Sequence, residues 1–434
     1  MAPSQAKYAP TLETFLKSLK GQPLEASIES LVFLLKRRQI KGAEQCATAT
    51  ARVLLQVVAK SRWTDVDQLL ANVQKHGATL TQAAPRELVI SNIVRRVLGL
   101  IRDEANEDRN AAGDEYGVDS VSDMGALPTP PEQPAPTSRP TPQPAGRPGP
   151  NPIKPGLGTH QSFISKSMFN LLSVVDPSDS TGTGSPVTGA STPVFQATSS
   201  ATALRSEVID GIEEIMDELS QADDQIAGFA EVQIHPGDYI LAYQPSATVE
   251  KFLVRAASKR HFTVMIASGP QQRGVPEATY ASLKKKLNAA GVKTIHIMTG
   301  SFSAYMPRVS KVVMGASAVL ANGAIVTDGG SAVVARAAHE FSKPVIVLSG
   351  VYKLCPENSS EVEDPVELGD SSSYVSFADG PLVDGVEVEN VVSELVPPEL
   401  IDMYITNLGP HTRDHLDDIL ADHYKLEDID LPLQ

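Results

Sequence analysis

A proline-rich segment is the feature that most constrains how this chain of 434 residues can fold. Residues 126–155 contain 12 prolines, so neither a regular helix nor the interior of a sheet can form there. We expect residues 105–162 to be a disordered insertion. The segment 163–203 is predicted to hold a short helix-like patch and then a loop rich in Ser, Thr and Gly. The folded parts therefore lie on either side of this region.

The part before the insertion has the pattern of a small helical bundle. Leu24, Ile28, Leu31 and Leu35 recur at spacings of three and four, the period of an amphipathic helix. We predict an N-terminal helical domain over residues 1–104. The further expected helices are 43–60, 66–76 ending at Gly77, and 85–104 with Pro85 in the first turn.

The part after the insertion has the pattern of an α/β domain. An amphipathic helix over residues 204–232 leads into it, and short runs dense in Val and Ile then alternate with helical stretches. This alternation indicates a parallel sheet with helices on both faces. The predicted fold class is α/β, a helical bundle followed by a Rossmann-like parallel-sheet domain over residues 233–434. The predicted strands are 239–243, 261–267, 292–298, 311–314 and 345–348, and the predicted helices are 248–259, 277–290, 332–341, 398–408 and a last piece to about 424.

Charge is distributed unevenly along the chain. The formal net charge is −15 and aromatic residues make up 5%, which excludes a uniformly basic nucleic-acid coat and an aromatic base-stacking platform. Residues 1–102 nevertheless carry 15 Lys and Arg against 7 Asp and Glu, a net charge of +8. This asymmetry indicates either an anionic partner for the helical domain or a solvated surface rich in Lys and Arg.

The sequence contains no signal for membrane insertion or export. Its apolar runs are far shorter than the roughly 20 residues that span a bilayer, and the N-terminus has no apolar signal core. Cys46 and Cys355 stand alone, outside any pairing typical of a disulfide framework or a zinc site. We expect a cytoplasmic protein with no membrane partner and no direct nucleic-acid partner.

Two short patterns resemble sites for a phosphate-bearing cofactor or a metal ion. The Gly-Gly-Ser run at 329–331 precedes a predicted helix, where backbone amides can hold a phosphate, but Asp328 beside it repels one. A plain helix start is therefore favoured. His411 and His415 are four residues apart without a third ligand, so two surface histidines are favoured over a metal site. No cofactor and no metal are predicted.

Three segments resemble a known protein family. Residues 315–323 (Gly-Ala-Ser-Ala-Val-Leu-Ala-Asn-Gly), 343–345 (Lys-Pro-Val) and 396–401 (Val-Pro-Pro-Glu-Leu-Ile) are similar to the alpha, beta and delta regulatory subunits of eukaryotic translation initiation factor 2B. They also resemble the related sugar-phosphate isomerases that act on methylthioribose-1-phosphate and ribose-1,5-bisphosphate. The architecture that this resemblance implies, a helical domain before a Rossmann-like domain, agrees with the periodicity.

Within the family, this chain is most similar to the beta branch. The segments that carry this similarity are 62–64, 92–98, 405–409 and Tyr424 with the acidic tail. The resemblance covers about 11–104 and 204–430. The proline-rich segment, the Ser/Thr/Gly-rich segment and the loop 357–373 do not match, and we interpret them as insertions.

The resemblance also implies which isomerase groups are missing. The isomerases need a catalytic Cys, where this chain has Gln244, and a catalytic Asp, where it has Ser317. Ala324 replaces a further family Asp, and Asp328 replaces the cation beside the phosphate. Moving a proton between adjacent carbons needs a positioned acid and base, which Gln and Ser do not supply near neutral pH. Gln244 and Ser317 are therefore vestigial positions, and no enzyme activity is predicted.

The function that the resemblance implies is that of a regulatory subunit. It would belong to the guanine-nucleotide exchange factor for the GTPase that delivers initiator tRNA, and would scaffold a hexameric core. Its partners would be the delta, alpha, gamma and epsilon subunits of that factor and the GTPase, whose phosphorylated alpha subunit it would help to sense. Two alternatives stay open: an active sugar-phosphate isomerase, and a module that keeps the old pocket to sense a sugar phosphate or a nucleotide.

Five arginines are the predicted partner-binding residues. Arg offers a rigid fork of donors to a phosphate or to acidic groups beside it. The apolar residues of the helix 85–104 take its buried side, which is expected to leave at least one of Arg95 and Arg96 facing outward. The alternative is that the arginines only solvate the bundle or pair with Glu87 and Asp103. The five residues are Arg37, Arg38, Arg86, Arg95 and Arg96.

Overall fold

A computed structural model describes most of the chain. The described residues are 11–114, 194–269, 280–298, 300–360, 366–375, 377–382 and 385–429. Of the insertion predicted over 105–162, residues 115–162 lie outside them, as does the predicted helix-like patch near 163–175. The described helical and α/β regions pack together as one compact unit.

Six helices form the helical region within the described residues. They are α1 (Leu12–Ser18), α2 (Leu24–Lys36), α3 (Ala43–Lys60), α4 (Val66–Ala83), α5 (Val89–Asp114) and α6 (Val194–Gly228). Asp65 caps α4 because its carboxylate accepts a hydrogen bond from the Gln68 N–H at 2.8 Å. The apolar faces meet in one core that includes Leu31, Leu54 and Leu98, all fully buried. The predicted helical bundle is confirmed.

Gly77 does not end a helix, so that prediction is wrong. The helix α4 continues to Ala83, and Gly77 lies where it approaches α5. A Cβ atom on Gly77 would lie 2.5 Å from Cγ1 of Val94. Glycine is required here by the close approach of two helices rather than by a helix stop.

Two other helices have boundaries that differ from the prediction. Residues 85–87 lie in the connection before α5, so Pro85 is not in its first turn. That helix continues past residue 104 to Asp114, so the predicted start of the disordered insertion at residue 105 is wrong. Ala105 is still buried in the core of the bundle, which extends the helix beyond the predicted end. The helix α6 begins at Val194, before the predicted start at residue 204, and ends at Gly228.

The remaining elements belong to the α/β region. Its helices are α7 (Ala230–Gln233), α8 (Ala247–Ala257), α9 (Ala281–Ala289), α10 (Phe302–Tyr305), α11 (Ser331–Glu340) and α12 (Leu416–His423). Its strands are β1 (Tyr239–Tyr243), β2 (Thr263–Ala267), β3 (Lys293–Ile297), β4 (Lys311–Gly315), β5 (Ala318–Leu320), β6 (Ile325–Asp328), β7 (Val345–Leu348), β8 (Leu354–Cys355), β9 (Glu367–Gly369), β10 (Asn390–Val396), β11 (Met403–Thr406) and β12 (Gly409–His411).

The main sheet has seven strands in the order β12-β11-β7-β4-β1-β2-β3. Its neighbours run parallel except for the antiparallel pair β11–β12. Alternate residues of β1 enter two different cores, Leu241 and Tyr243 on one face and Ile240 and Ala242 on the other. Burial on both faces is typical of a parallel sheet between helices. All five predicted strands and the predicted α/β fold class are confirmed.

A second sheet was not predicted from the sequence. Its five strands lie in the order β8-β5-β6-β10-β9, and β10 runs antiparallel to both β6 and β9. Apart from β10, these strands are only two to four residues long. Such short segments contain too few alternations of apolar and polar residues to be recognised.

The predicted helix over residues 398–408 is wrong. Pro398–Leu400 forms one turn of 3-10 helix, and the chain then extends as β11. Met403 lies opposite Ile346 and Ile405 opposite Leu348 in the parallel pairing with β7. Tertiary pairing with a buried strand therefore decides the conformation of this segment.

Candidate functional site

The main sheet has a switch point between β1 and β4. Strand β1 pairs with β2 on one side and with β4 on the other, so the connections leave in opposite directions. In open α/β sheets ligands bind at the carboxyl ends of the strands at such a point. Gln244 follows β1 directly, and Ser317 follows two residues after β4. The structure therefore places both residues that were predicted to be vestigial at the carboxyl ends of the two strands that flank the switch point.

Tyr243 and Gln244 fill this crevice from the β1 side. The Tyr243 hydroxyl donates to the Gly329 carbonyl at 2.8 Å, and the Gln244 amide donates to the same carbonyl at 3.3 Å. Gly330 has φ +94°, and a Cβ atom there would lie 2.1 Å from the Tyr243 hydroxyl. Burial raises the pKa of Tyr243, so its hydroxyl stays a hydrogen-bond donor. The tyrosine thus occupies the space in front of α11.

The backbone of Gln244 is itself unusual, with φ +41°. Its N–H donates to the Ala267 carbonyl at 2.9 Å, which ties the turn after β1 to the end of β2. A non-glycine residue in this left-handed region costs about 1 kcal/mol or more. The turn keeps this conformation because the amide side chain and the backbone N–H both have fixed partners.

A carboxylate from the chain itself occupies the start of α11. Glu394 on β10 accepts a hydrogen bond from the Ala332 N–H at 2.7 Å. Amides at a helix start are where a phosphate would bind. Asp328, at the end of β6, adds a second acidic group close by in the chain. The sequence-based preference for a plain helix start over a phosphate cradle therefore agrees with this geometry.

The β4 side of the crevice is also closely packed. A Cβ atom on Gly315 would lie 2.5 Å from Oγ of Ser246, which caps α8. Ser317 is exposed, and its N–H donates to the Val326 carbonyl at 2.8 Å within the second sheet. A serine hydroxyl and a glutamine amide provide neither a general acid nor a general base. The crevice therefore has hydrogen-bond donors but no proton-transfer pair at these positions.

Lys353 is a buried cation beside this crevice that sequence reasoning missed. It is 7% exposed, and its ammonium donates to the Ala316 carbonyl at 3.1 Å. Burial lowers its pKa. A single Lys between apolar residues gives no periodic signal, so only the fold shows that it is buried.

The predicted partner-binding arginines separate into two groups. Arg37, Arg38 and Arg86 are exposed. Arg38 and Arg86 both line a cleft of about 290 Å³ between the end of α2 and the turn that precedes α5. We call this cleft, whose lining comes from residues 35–40 and 83–87, the basic cleft. The structure therefore brings Arg38 and Arg86 together although they are far apart in sequence.

Arg95 and Arg96 are not in that group. Their side chains are 5% and 12% exposed, so the expectation that at least one faces outward is wrong. The Arg95 guanidinium contacts the Glu357 carboxylate at 2.6 Å and donates to the Ile429 carbonyl at 3.1 Å. Arg96 contacts Glu218 on α6 at 2.6 Å. The C-terminal segment and the loop after β8 cover this side of α5.

A polar stripe runs along α5 beneath these contacts. Ser91 and Asn92 are buried with Arg95, and about two turns further on Arg102 pairs with the buried Asp428. The Asn92 amide donates to the Tyr352 carbonyl at 3.2 Å. Polar residues at helical spacing between apolar ones are a sequence signal for a second packing surface, and this signal was missed. We call this contact surface the α5 seam.

Glu87 and Asp103 do not pair with Arg95 or Arg96 as the alternative interpretation proposed. Glu87 accepts a hydrogen bond from the Gly42 N–H at 3.1 Å and lies 3.9 Å from Arg38. Asp103 pairs with Lys425 of the C-terminal segment at 2.8 Å. The acidic partners of the seam arginines come instead from distant parts of the chain.

The histidine pair has no metal-ligand geometry in the structure. His411 lies in β12 and His415 in a short 3-10 helix, so the two do not share a helix face. Each contacts a threonine hydroxyl, at 3.0 Å and 3.1 Å. Within the described ranges, no three or more His, Cys, Asp or Glu side chains are grouped so as to hold a metal ion.

Among the helices in the described part of the chain, none has the length and apolar content needed to cross a bilayer.

Comparison with known proteins agrees with this architecture. The initiation factor 2 subunit family matches residues 39–412 of the chain. A protein of Schizosaccharomyces pombe named translation initiation factor eIF2B subunit beta is 34% identical over 407 residues, which cover 93% of this chain and 96% of that one. The chain therefore belongs to the initiation factor 2 subunit family.

Two solved structures of higher identity narrow the comparison. The crystal structure of eIF2B beta from Chaetomium thermophilum is 46% identical, with a TM-score of 0.65 over 97% of both chains. A chain of the tetrameric eIF2B-beta2-delta2 complex from C. thermophilum is 46% identical, with a TM-score of 0.64 over 96% of this chain and 100% of that one. The sequence-based resemblance to the family, and to its beta branch, is confirmed.

Proposed function

We propose that this chain is a non-catalytic regulatory subunit of the guanine-nucleotide exchange factor for the GTPase that delivers initiator tRNA. The observation that carries the proposal is the filled crevice at the β1–β4 switch point. The Tyr243 hydroxyl lies at the carboxyl end of β1 and the Glu394 carboxylate at the start of α11, two places where an α/β fold commonly binds a substrate or a phosphate. Membership of the initiation factor 2 subunit family supports the same function.

The crevice geometry opposes both alternatives. An isomerase would need an acid and a base at Gln244 and Ser317, where the chain has neither. A module that senses a sugar phosphate or nucleotide would need free donors at the start of α11, where Glu394 accepts from one of the amides. Two carboxylates near that helix start would also repel a phosphate.

The partners in this proposal are the other subunits of the exchange factor. The delta subunit comes first, because a beta2-delta2 tetramer is among the structures similar to this chain. The alpha subunit would complete a hexameric core, and the gamma and epsilon subunits would bind that core and carry out exchange. We expect this assembly to act in the cytoplasm, without contacting nucleic acid or membrane.

The helical domain would contribute to sensing phosphorylation of the GTPase alpha subunit. Arg37, Arg38 and Arg86 are exposed and lie near the end of α2 and the turn before α5. Arg95 and Arg96 would contribute by fixing α5 against the C-terminal segment. Phosphate-bearing partners bind well to several Arg side chains because each guanidinium can donate two hydrogen bonds.

A reconstituted exchange factor tests the proposal. The assembled complex should exchange nucleotide on the unphosphorylated GTPase and be inhibited by the phosphorylated alpha subunit. Replacing Arg37 and Arg86 by Glu should weaken that inhibition and leave basal exchange unchanged. The matched control is Arg52→Glu, an exposed position on α3 outside the basic cleft.

Two outcomes would contradict the proposal. One is turnover of methylthioribose-1-phosphate or ribose-1,5-bisphosphate by the pure chain. The other is failure of the chain to assemble with the partner subunits. Unchanged inhibition in the double variant would reject the sensing role of the exposed arginines alone and leave the scaffold role in place.

A further inference from the structure

The α/β region contains two stretches of opposite charge. Residues 251–293 carry 9 Lys and Arg against 1 Asp or Glu, a net charge of +8, whereas residues 294–434 carry a net charge of −15. The basic stretch spans most of α8, then β2 and α9, and the first residue of β3. Leu253 on α8 and Leu283 on α9 are buried in one core, so both helices lie on the same face of the main sheet. The fold therefore gathers these basic residues on one side of the α/β region.

Carboxylates from neighbouring helices offset part of this charge. The ion pairs are Lys251 with Asp223 and Asp224 at 3.6 and 3.4 Å, Arg255 and Lys259 with Glu231 at 3.8 and 2.9 Å, and Lys286 with Glu250 at 2.6 Å. The hydrogen bond from Lys259, and further the charge of Arg260, lower the pKa of Glu231, so Arg260 also has a carboxylate nearby. These cations already have partners within the chain.

Three lysines of the stretch have no carboxylate partner in the part of the chain that the structure describes. They are Lys284 and Lys285 on α9 and Lys293 at the start of β3. Lys285 and Lys293 are exposed, and Lys284 is half-buried. Helix α9 itself contains no Asp or Glu that could offset its three consecutive lysines. We call Lys284, Lys285 and Lys293 the unpaired lysines.

The unpaired lysines flank the outer edge of the main sheet. Strand β3 is an end strand, and within the described residues it pairs with β2 alone. Lys286 faces α8, because its ammonium contacts Glu250 there. An α-helix turns by about 100° per residue, so Lys284 lies on the opposite flank of α9, beside the outer edge of β3. Lys285 lies between the two flanks and is directed to solvent.

Two structural roles explain only part of this charge. A charged residue on an end strand discourages unwanted strand pairing, which is a sufficient role for Lys293. Cations also stabilise a helix when they lie in its last turn, and Lys286 is the basic residue in the last turn of α9. Lys284 and Lys285 come before that turn and do not belong to a strand. Their positions therefore indicate an interaction outside the described structure.

The aromatic residues of the basic stretch are not available to stack on bases. Within the described residues, Phe252 and Phe262 are buried and Tyr280 is half-buried. Single-stranded nucleic acids bind through aromatic stacking as well as charge, so a nucleic acid would gain only backbone contacts here. A carboxylate accepts a strong, charge-assisted hydrogen bond from an ammonium, and an extended peptide can lie along a strand edge. An acidic peptide is therefore the better fit.

We propose that the unpaired lysines form a docking site for an acidic segment of a partner subunit. The segment is rich in Asp and Glu and lies extended along the outer edge of β3, where its carboxylates contact Lys284, Lys285 and Lys293. Charge complementarity and the strand edge beside the lysines favour this occupant. The inference rests on the proposed function in requiring that the chain assembles with other subunits.

The first test measures binding of a defined probe to the full chain. A fluorescein-labelled peptide of alternating Glu and Gly is titrated at low salt and followed by fluorescence anisotropy. Lys284→Glu/Lys285→Glu should weaken binding by about tenfold, the equivalent of about 1.4 kcal/mol, because two attractive contacts become repulsive. Lys284→Gln/Lys285→Gln removes the charge without reversing it and should have a smaller effect in the same direction.

A matched control variant makes the same change of charge elsewhere. Arg336→Glu/Lys343→Glu alters one exposed and one half-buried cation, as the double Glu variant of α9 does. The control positions lie on α11 and in the turn after it, and α11 packs on the opposite face of the main sheet. The control variant should bind the probe with an affinity close to that of the parent chain. Circular dichroism should show that both variants are folded.

Three results of this titration would overturn the proposal. One is an equal loss of affinity in the α9 variant and in the control variant, which would indicate a general charge effect. Another is equal binding of a peptide with Gln in place of Glu. The third is displacement of the probe by a single-stranded RNA of the same net charge at a lower concentration than by the unlabelled peptide, which would indicate a nucleic-acid surface.

The second test uses the chain in its assembly. The lone chain and the reconstituted exchange factor are acetylated under the same conditions, and mass spectrometry measures the reaction at each lysine. The unpaired lysines should react several-fold more slowly in the assembly, whereas Lys343 should react at a similar rate in both. Equal labelling of the unpaired lysines in the two states would overturn the proposal. If the assembly does not form, the proposed function fails, and the peptide titration still decides on the docking site.

Discussion

Two groups of arginines in the same helical region have opposite surroundings. Arg38 and Arg86 line an exposed cleft, whereas Arg95 and Arg96 lie in the α5 seam with side chains 5% and 12% exposed. In the first group, Arg38 pairs with Glu367 but keeps 46% of its side chain exposed, and Arg86 is also exposed. The second has its charge matched by Glu357 and Glu218. A count of basic residues treats both groups alike, although only the first can reach a partner without rearranging the fold.

The net charge of the helical domain therefore overstates how many of its basic residues can bind a partner. Removing one partner of a buried ion pair strongly destabilises a protein, because the remaining charge is then buried without a partner. Exposed pairs contribute little. The same substitution should therefore affect stability in the seam and binding at the cleft.

The largest effect on stability is expected for Arg95→Glu. This change places two carboxylates together at Glu357 and removes the donor to the Ile429 carbonyl. We expect the free energy of unfolding to fall by about 3–5 kcal/mol, the range for breaking a buried ion pair. Denaturant titration of Arg95→Glu beside Arg52→Glu measures it. Equal stability of the two variants would mean that the seam is not a folded-state contact.

A smaller effect is expected from the coupling between Arg96 and Glu218. Their side chains are 12% and 24% exposed and meet at 2.6 Å. A double-mutant cycle with Arg96→Gln and Glu218→Gln should give a coupling energy of about 1–2 kcal/mol. Additive effects of the two single changes would show that α5 and α6 are held together by packing alone.

A third effect concerns pH. Burial, with a contribution from Arg96, lowers the pKa of His423 below its usual 6.5. The unfolded chain therefore binds this proton more tightly than the folded chain, so stability falls as the pH decreases below about 6.5. In His423→Gln this part of the acid sensitivity should disappear. Denaturant titrations at about pH 7 and about pH 5.5 measure the change, and an unaltered pH dependence in the variant would contradict the assignment.

The smallest effect is expected for Arg86→Glu. Its side chain lies at the rim of the basic cleft, and substitutions at exposed positions usually change stability by no more than about 0.5 kcal/mol. Thermal unfolding of the variant beside the parent chain tests this. A loss comparable with that of Arg95→Glu would place Arg86 in the fold rather than on a binding surface.

The parallel sheet and the helical bundle could be predicted from the sequence because their signals are long and regular. The run Tyr239–Tyr243 is buried on both faces, and each of its residues is apolar or aromatic. The second sheet could not be predicted, since β5 and β9 have three residues each. Gly77 was misassigned because a glycine that permits close packing looks the same in sequence as one that ends a helix.

The candidate site was predictable only in part. The resemblance predicts that Gln244 and Ser317 replace the Cys and Asp of the isomerases, and both residues lie at carboxyl ends of strands beside the switch point. That Tyr243 and Glu394 fill the crevice could not, because Glu394 reaches α11 from a strand of the unpredicted sheet. The acidic partners of Arg95 and Arg96 were also missed, since pairing over such sequence distances leaves no periodic signal.

One paired measurement tests the distinction between cleft and seam most directly. Arg86→Glu and Arg95→Glu are each compared with the parent chain for thermal unfolding and, in the reconstituted exchange factor, for inhibition by the phosphorylated GTPase alpha subunit. We predict that Arg86→Glu keeps the melting temperature and weakens inhibition, whereas Arg95→Glu loses several degrees of melting temperature. Complexes that contain folded Arg95→Glu should still be inhibited like the parent complex. Loss of inhibition in Arg95→Glu without loss of stability, together with unchanged inhibition in Arg86→Glu, would contradict the distinction between cleft and seam.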